Sequence, residues 1–412
     1  MAKKTVADIN VKGKKVLMRC DFNVPLDDNC NITSDDRIVQ ALPTIKQVLN
    51  GGGSVILMSH LGRPEGEKIA KMSLKPVAKR LGELLGVKVI MADDCVGAAV
   101  KSQAAKLKAG DVMLLENLRF YPEETIKDKS AKEDAKLRKA KDDFAQQIAD
   151  LGDVYVNDAF GTAHRDNASM YTVPVLMAGK PRVVGGLIEK ELKFLGDTVS
   201  NPEKPFAAIL GGAKVSDKIR VIENLIPKVN TILIGGAMAY TFFKADGREI
   251  GDSLCENDFV AQANALLEKG KQAGCQIVLP VDTVIANEFK AGAKHKVVTG
   301  DIEKGWQGVD IGPETAKIFS DIIKKAKTIV WNGPMGVFEM PPFDEGTKAV
   351  ANAVAAATKN GARSVIGGGD SASAIQIMGL EDQVSHISTG GGASLEFLEG
   401  KPFKCLEILD EK

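Results

Sequence analysis

At roughly 100–200 residues per domain, 412 residues are too many for one ordinary core and make two domains the simplest expectation. Lys plus Arg and Asp plus Glu each number 54, so the formal charge is zero, the basic excess of a dedicated nucleic-acid binder is missing, and any anion site has to be local. With 44% hydrophobic and 26% charged residues the chain sits near globular averages, which excludes disordered and fibrous classes.

The opening residues, Met1 to Asp8, lack the apolar core of an export signal, and no window offers about 18 unbroken apolar residues for a membrane span. Cys20, Cys30, Cys95, Cys255, Cys275 and Cys405 are scattered without a CxxC pair, which argues against a disulfide framework or a zinc cage. The expectation is a cytoplasmic protein with reduced thiols.

Short apolar, β-rich runs alternate with helical patterns from end to end, the rhythm of α/β folds with parallel, doubly wound sheets. In the first half strands are expected near Lys15 to Arg19, Ser54 to Ser59, Val87 to Ala92, Asp111 to Leu115 and Val154 to Asn157. A helix from Lys75 to Leu85 carries Val77, Leu81, Leu84 and Leu85 on one side. The mixed charges from Glu123 to Asp143 read as a solvated helix face. Pro174, Gly179, Pro181 and Gly185-Gly186 mark a boundary, followed by a connecting helix from about Leu187 to Leu195. Second-half strands are expected near Phe206 to Leu210, Thr231 to Ile234, Gln276 to Pro280, Thr328 to Trp331 and Arg363 to Ile366.

Ligands of open parallel sheets bind beyond the carboxyl ends of the strands, so the residues that follow each strand carry the functional signal. The first half places cations and donors there: Arg19-Cys20-Asp21-Phe22-Asn23, Ser59-His60-Leu61-Gly62-Arg63, Glu116-Asn117-Leu118-Arg119 and His164-Arg165. Arg37 joins them at the start of a helix capped by Thr33 to Asp36. One arginine alone is more often a surface or ion-pair residue, but Arg37, Arg63, Arg119 and Arg165 together read as a cluster of forked donors for a small dianion. His60 and His164 each neighbour an arginine, whereas His295 and His386 read as ordinary histidines.

The second half places glycines at the same positions: Gly211-Gly212-Ala213-Lys214, Gly235-Gly236, Asn332-Gly333-Pro334 and Gly367-Gly368-Gly369-Asp370. Such turns let a phosphate approach backbone N–H groups where a helix begins. Lys214 and Lys218 lie four apart and share a face if 213–225 is helical. Asp370 would repel a phosphate unless Mg²⁺ lies between them, the bland alternative being an N-cap for a helix starting at Ser371.

GxxxxGK[ST] does not occur in these turns. Gly367, Gly369 and Ala372 fit the loosened dinucleotide pattern GxGxxA, which keeps a nicotinamide-dependent dehydrogenase as the rival enzyme class, but Asp370 sits inside the pattern and no acidic residue follows at the right distance. A two-lobed solute-binding protein is the non-enzyme rival.

Taken together, Arg19 to Pro25, His60 to Pro64, Glu116 to Phe120, Asn157 to Gly161, Leu210 to Lys218, Asp310 to Pro313, Trp331 to Glu339, Gly367 to Ser371 and Ser388 to Ala393 closely resemble phosphoglycerate kinases along essentially the whole chain. The resemblance implies two Rossmann-like lobes joined by a connecting helix and hinge: residues 1–175 binding phosphoglycerate, with about 400–412 returning to them, 185–199 connecting, and 200–399 binding nucleotide. It implies the glycolytic reaction 1,3-bisphosphoglycerate + ADP ⇌ 3-phosphoglycerate + ATP, in a monomer; the charge balance and the lack of a long apolar run add the expectation of no nucleic-acid or membrane partner.

By the same resemblance Asp21, Asn23, Arg37, His60, Arg63, Arg119 and Arg165 would hold the phosphoglycerate. Gly211, Ala213, Lys218, Gly235, Gly236, Gly308, Asn332, Pro334, Glu339, Gly368, Gly369, Asp370 and Ser371 would surround ADP or ATP, with Glu339 on the ribose and Asp370 on the Mg²⁺ of the nucleotide. Arg37, Lys214, Lys218, Gly368 and Gly369 would stabilise the transferring group. After Arg165 the family usually has a small residue and a second histidine, where this chain has Asp166-Asn167.

Overall fold

A computed structural model describes residues 2–412. Its contacts divide the chain into two units, residues 1–192 with 402–412, and residues 193–401, the division falling inside the expected connecting stretch.

The first unit is built on a six-stranded sheet. Its strands are β1 (Lys15–Cys20), β2 (Ser54–Met58), β3 (Val89–Met91), β4 (Val112–Leu114), β5 (Val154–Asp158) and β6 (Arg182–Val184). They lie in the order β3-β4-β2-β1-β5-β6, and every pairing is parallel. Strands buried on both faces read as continuous apolar runs, and Val16, Met18, Val55, Leu57, Val154 and Val156 are buried with Ile38, Ile45, Val77 and Leu81 of the helices Asp36–Asn50 and Lys75–Leu85. The C-terminal residues join this unit: Lys4 donates its N–H to Asp410 O at 2.9 Å and Arg182 its N–H to Asp410 Oδ2 at 3.0 Å.

The second unit repeats the plan with β7 (Phe206–Leu210), β8 (Thr231–Ile234), β9 (Gln276–Val278), β10 (Asp282–Ala286), β11 (His295–Thr299), β12 (Gln307–Ile311), β13 (Thr328–Asn332), β14 (Arg363–Gly367) and β15 (His386–Ile387). Its parallel sheet runs β15-β14-β13-β7-β8-β9, and β11-β10-β12 form a separate antiparallel sheet.

Several expectations need correction. β6 occupies the stretch read as a boundary; it is three residues long, set between Pro181 and Gly185, so turn residues dominate its local signal. The antiparallel sheet carries no expected strand: β11 is mostly exposed and lacks the apolar run of a buried strand, while β10 and β12, though largely buried, are short and interrupted by Asp282, Gly308 and Asp310. The connecting helix begins at Gly186 and passes through a π-helical turn, Leu192–Gly196. Within the charged stretch Glu124, Asp128 and Lys141 are buried, so it is not simply a solvated face.

Candidate functional site

In each parallel sheet the strand order reverses beside the first strand of the unit, at β1/β5 and at β7/β13. Crevices open at such switch points, beyond the carboxyl ends of the strands. The loops after β1 and β5 carry Asp21, Asn23 and Arg165; those after β7 and β13 carry Gly211, Ala213 and Pro334.

In the first unit Arg37, in the opening turn of its helix, pairs with Asp21 at 2.5 Å. The expected cap differs: Asp35 occupies the N-cap position without a side-chain cap bond and instead accepts from Arg80 Nε at 2.8 Å. Asn23 Oδ1 accepts from the Gly62 N–H at 2.8 Å and thereby fixes the loop after β2. Asn117 clamps that loop from the other side, accepting from Leu61 N at 3.2 Å and donating to Leu61 O at 2.8 Å.

A cavity of about 210 Å³ is lined by Arg63, Glu65, Gly66, Arg119, Thr125 and Arg165. Arg119 donates Nη1 to Gly62 O at 2.7 Å, while its buried Nε has no protein partner. Burial first, then the charges of Arg165 and Arg19, bring the Arg119 pKa down to about 10. A buried guanidinium among like charges is costly without an anion. Arg165 turns Nε toward His164 Nε2 at 3.2 Å.

His60 is 3% exposed, and its pKa lies well below the usual imidazole value because of burial and then Arg19, Arg119, Arg165 and Arg37. It is therefore a neutral ring at pH 7. Arg19, fully buried, donates to the Cys20 carbonyl and to His60 Nδ1, the latter at 3.2 Å. Arg19 was expected only as one of the strand-end cations and not among the ligand-binding residues; a basic residue inside an otherwise apolar strand was the signal for more.

In the second unit glycines let three turns interpenetrate. Gly212 N donates to Pro334 O at 3.1 Å, Gly236 N to Met335 O at 3.0 Å and Gly235 N to Leu210 O at 2.9 Å. A Cβ on Gly236 would stand 2.5 Å from the Gly212 nitrogen. Ser371 Oγ accepts from Gly333 N at 2.6 Å, joining the loop after β13 to the helix Gly369–Ile377. Lys218 donates to Asn332 Oδ1, and a Cβ on Gly368 would lie 3.0 Å from Asn332 Nδ2. Burial lowers the Lys218 pKa, against the pull of Asp217, Asp370 and Glu399. Ala213, Lys214 and Glu339 are exposed, and Gly308, in β12, lies against the Tyr240 ring.

Two expectations about this unit change. The helix begins at Ile219, so Lys218 is its N-cap residue and Lys214 lies in the irregular segment before it; the pair does not share a helical turn. Glu256 accounts for that segment, accepting from Ser216 N at 2.9 Å and Ser216 Oγ at 2.7 Å, bonds that compete with helix formation. Asp370 is not a cap: Gly368, with φ of +88°, is the N-cap, and Asp370 sits exposed in the first turn.

No group of three or more metal-ligating side chains occurs among the described residues. Asp370, a single exposed carboxylate in the first turn of its helix, fits a Mg²⁺ held mainly by ligand oxygens and water. Among the described residues no helix is long and apolar enough to cross a membrane.

A family model described as phosphoglycerate kinase matches residues 6–401. The chain is 57% identical over 410 residues to a phosphoglycerate kinase of Chloroherpeton thalassium, with 99% of each covered. It is 56% identical to that of Rhodopirellula baltica, with 100% of each covered. Among solved structures it is similar to phosphoglycerate kinase from Coxiella burnetii, at 40% identity and a TM-score of 0.86 over 98% of each chain. The enzyme from Pyrococcus horikoshii gives 32% identity and a TM-score of 0.80, with 98% of this chain and 97% of the other covered.

Proposed function

The chain belongs to the phosphoglycerate kinase family, and on that premise we propose how its residues divide the reaction. It is a glycolytic phosphotransferase that converts 1,3-bisphosphoglycerate and ADP to 3-phosphoglycerate and ATP, reversibly.

The arginine-lined cavity, with the unpartnered Arg119 Nε, carries the assignment of the phosphoglycerate site to Arg63, Arg119 and Arg165, with His60 and Arg37 in the same electrostatic neighbourhood. Asp21 and Asn23 serve through Arg37 and Gly62, which they hold. The interlocked turns of Gly211, Gly235, Gly236 and Pro334 support a nucleotide seat, because bare backbone admits phosphate and base where side chains would block them. Ala213, Gly308 and Glu339 complete it, Glu339 on the ribose.

Phosphorylation of phosphoglycerate uses a carboxylate nucleophile that is already ionised at neutral pH, so no general base is needed. Positioning and charge compensation remain. Arg37, Lys214, Lys218 and the N–H groups of Gly368, Gly369 and Ser371 supply them. Asp370 would hold Mg²⁺, which when bound offsets phosphate charge. The anion cavity lies in one unit and the glycine turns in the other, so this reading needs the lobes to close around the reactants; scattering with both substrates should report compaction. The six free cysteines support a reducing, cytoplasmic setting.

The deciding experiment is a coupled assay for ATP formed from ADP and 1,3-bisphosphoglycerate. ATP formation that depends on both substrates is expected, and its absence from folded protein would refute the reading.

A further inference from the structure

Glu124 lies in the charged stretch that reads as surface, yet it is 0% exposed. Its carboxylate accepts from the Ser169 N–H at 2.8 Å, from the Ser169 hydroxyl at 2.6 Å and from Asn167 Nδ2 at 3.4 Å. Ser169 Oγ in turn accepts from Arg19 Nε at 3.0 Å.

The direction of each bond is fixed by chemistry. A guanidinium only donates, so Ser169 must present a lone pair to Arg19 and its one proton to Glu124. The same rule fixes the far end: Arg19 Nη2 lies 3.2 Å from His60 Nδ1, so Nδ1 is the acceptor and the neutral ring carries its proton on Nε2. Arg19 is fully buried, and a buried cation needs a countercharge. Glu124, one hydroxyl away, lies also in the electrostatic field of Arg119 and Lys141, whose cationic forms it favours.

We propose that Glu124 is a positioning residue of the anion cavity: through Ser169 it fixes Arg19, and through Arg19 the tautomer of His60, so that the ring presents an N–H to the anionic substrate. The proposal rests on the assignment of His60 to the phosphoglycerate site made above. Asn167 takes part as a donor to the same carboxylate, which gives the residue that replaces a histidine in this chain a place in the line.

The test uses the full-length protein with ¹⁵N-labelled histidine. In the unsubstituted enzyme at pH 7 the His60 Nδ1 shift should be that of an unprotonated ring nitrogen. Glu124→Gln keeps the shape but turns one acceptor into a donor, and Ser169→Ala removes the bridge. Each should redistribute the ring proton between Nδ1 and Nε2 and raise KM for phosphoglycerate about tenfold, the size of one lost charge-assisted hydrogen bond, with KM for ATP unchanged. Ser169→Thr, which keeps the hydroxyl, should restore both readouts; if Glu124→Gln does not fold, the two Ser169 variants decide alone.

His60 signals that shift with phosphoglycerate but stay the same in Glu124→Gln and Ser169→Ala would overturn the role of Glu124. His60 signals indifferent to phosphoglycerate would instead overturn the site assignment beneath it.

Discussion

Arg37 and Asp21 form an ion pair of 2.5 Å in which the arginine side chain is 41% exposed and the aspartate 11%. The less exposed partner anchors and the more exposed partner reaches out. This is the arrangement expected of a charge held ready for a substrate, because a preorganised guanidinium loses little freedom when it meets the transferring group.

Arg37→Ala should therefore lower kcat by on the order of a hundredfold or more, as loss of a transition-state donor does. Steady-state kinetics in both directions measure it. Unchanged turnover with a raised KM would show that Arg37 only binds.

Lys218 is held by Asn332, and burial already works against its charge. Lys218→Gln should cost turnover by about a hundredfold while the folded state keeps or gains stability, because the variant buries no cation. Turnover and thermal unfolding measured on one preparation separate the two effects; a loss of stability that accounts for the lost turnover would remove Lys218 from the chemistry.

Gly236 has φ of +65°, and an added Cβ would press on the Gly212 backbone. Gly236→Ala should weaken nucleotide binding by roughly tenfold or more, since strain and displaced backbone cost of the order of 1–3 kcal/mol. Phosphoglycerate binding should be unaffected. Calorimetric titration with each ligand checks the pair, and equal loss on both would refute a local effect.

Asp158 is fully buried at the end of β5 and accepts from the N–H groups of Leu187 at 2.9 Å and Ile188 at 3.3 Å. Burial raises its pKa to about 6, outweighing hydrogen bonds from Thr44, Ile188 and Leu187. A carboxyl raised in the folded state contributes stability that is full below about pH 4 and is lost as the pH climbs through 6, a swing of about 3 kcal/mol. Asp158→Asn keeps an acceptor for both N–H groups, so it should gain stability relative to the parent as pH rises from 4 to 7. Urea unfolding across that range tests it, and parallel pH profiles would contradict the assignment.

Mg²⁺ with ADP or ATP should raise Tm, while NAD⁺ and NADP⁺ should leave it unchanged, since only a ligand of the native state shifts unfolding. A shift with NAD⁺ instead would revive the dehydrogenase reading of Gly367, Gly369 and Ala372.

Strands such as Phe206–Leu210 and Thr231–Ile234 were legible to the residue, because a strand buried on both faces must be apolar throughout. The antiparallel strand His295–Thr299 was not, because most of its side chains stay exposed and of its valines only Val298 packs into an apolar cluster, so it has no apolar run to read. Arg63, Arg119 and Arg165 were legible for a related reason: a forked cation after a strand keeps its chemistry whatever surrounds it. The helix through Lys214 failed because Glu256, about 40 residues on, takes the hydrogen bonds of Ser216.

The sequence by itself thus determined the α/β plan, the strand-end loops and the chemical character of each loop, since periodicity and side-chain type are local properties. Tertiary structure alone decided which of those groups face solvent and which face one another. Glu124 shows the difference: in sequence it is one acid among many, and only the fold sets it 45 positions away against Ser169, where Arg19 and His60 give its charge a direction. Burial and hydrogen-bond geometry are properties of distant residues brought together, and no local pattern encodes them.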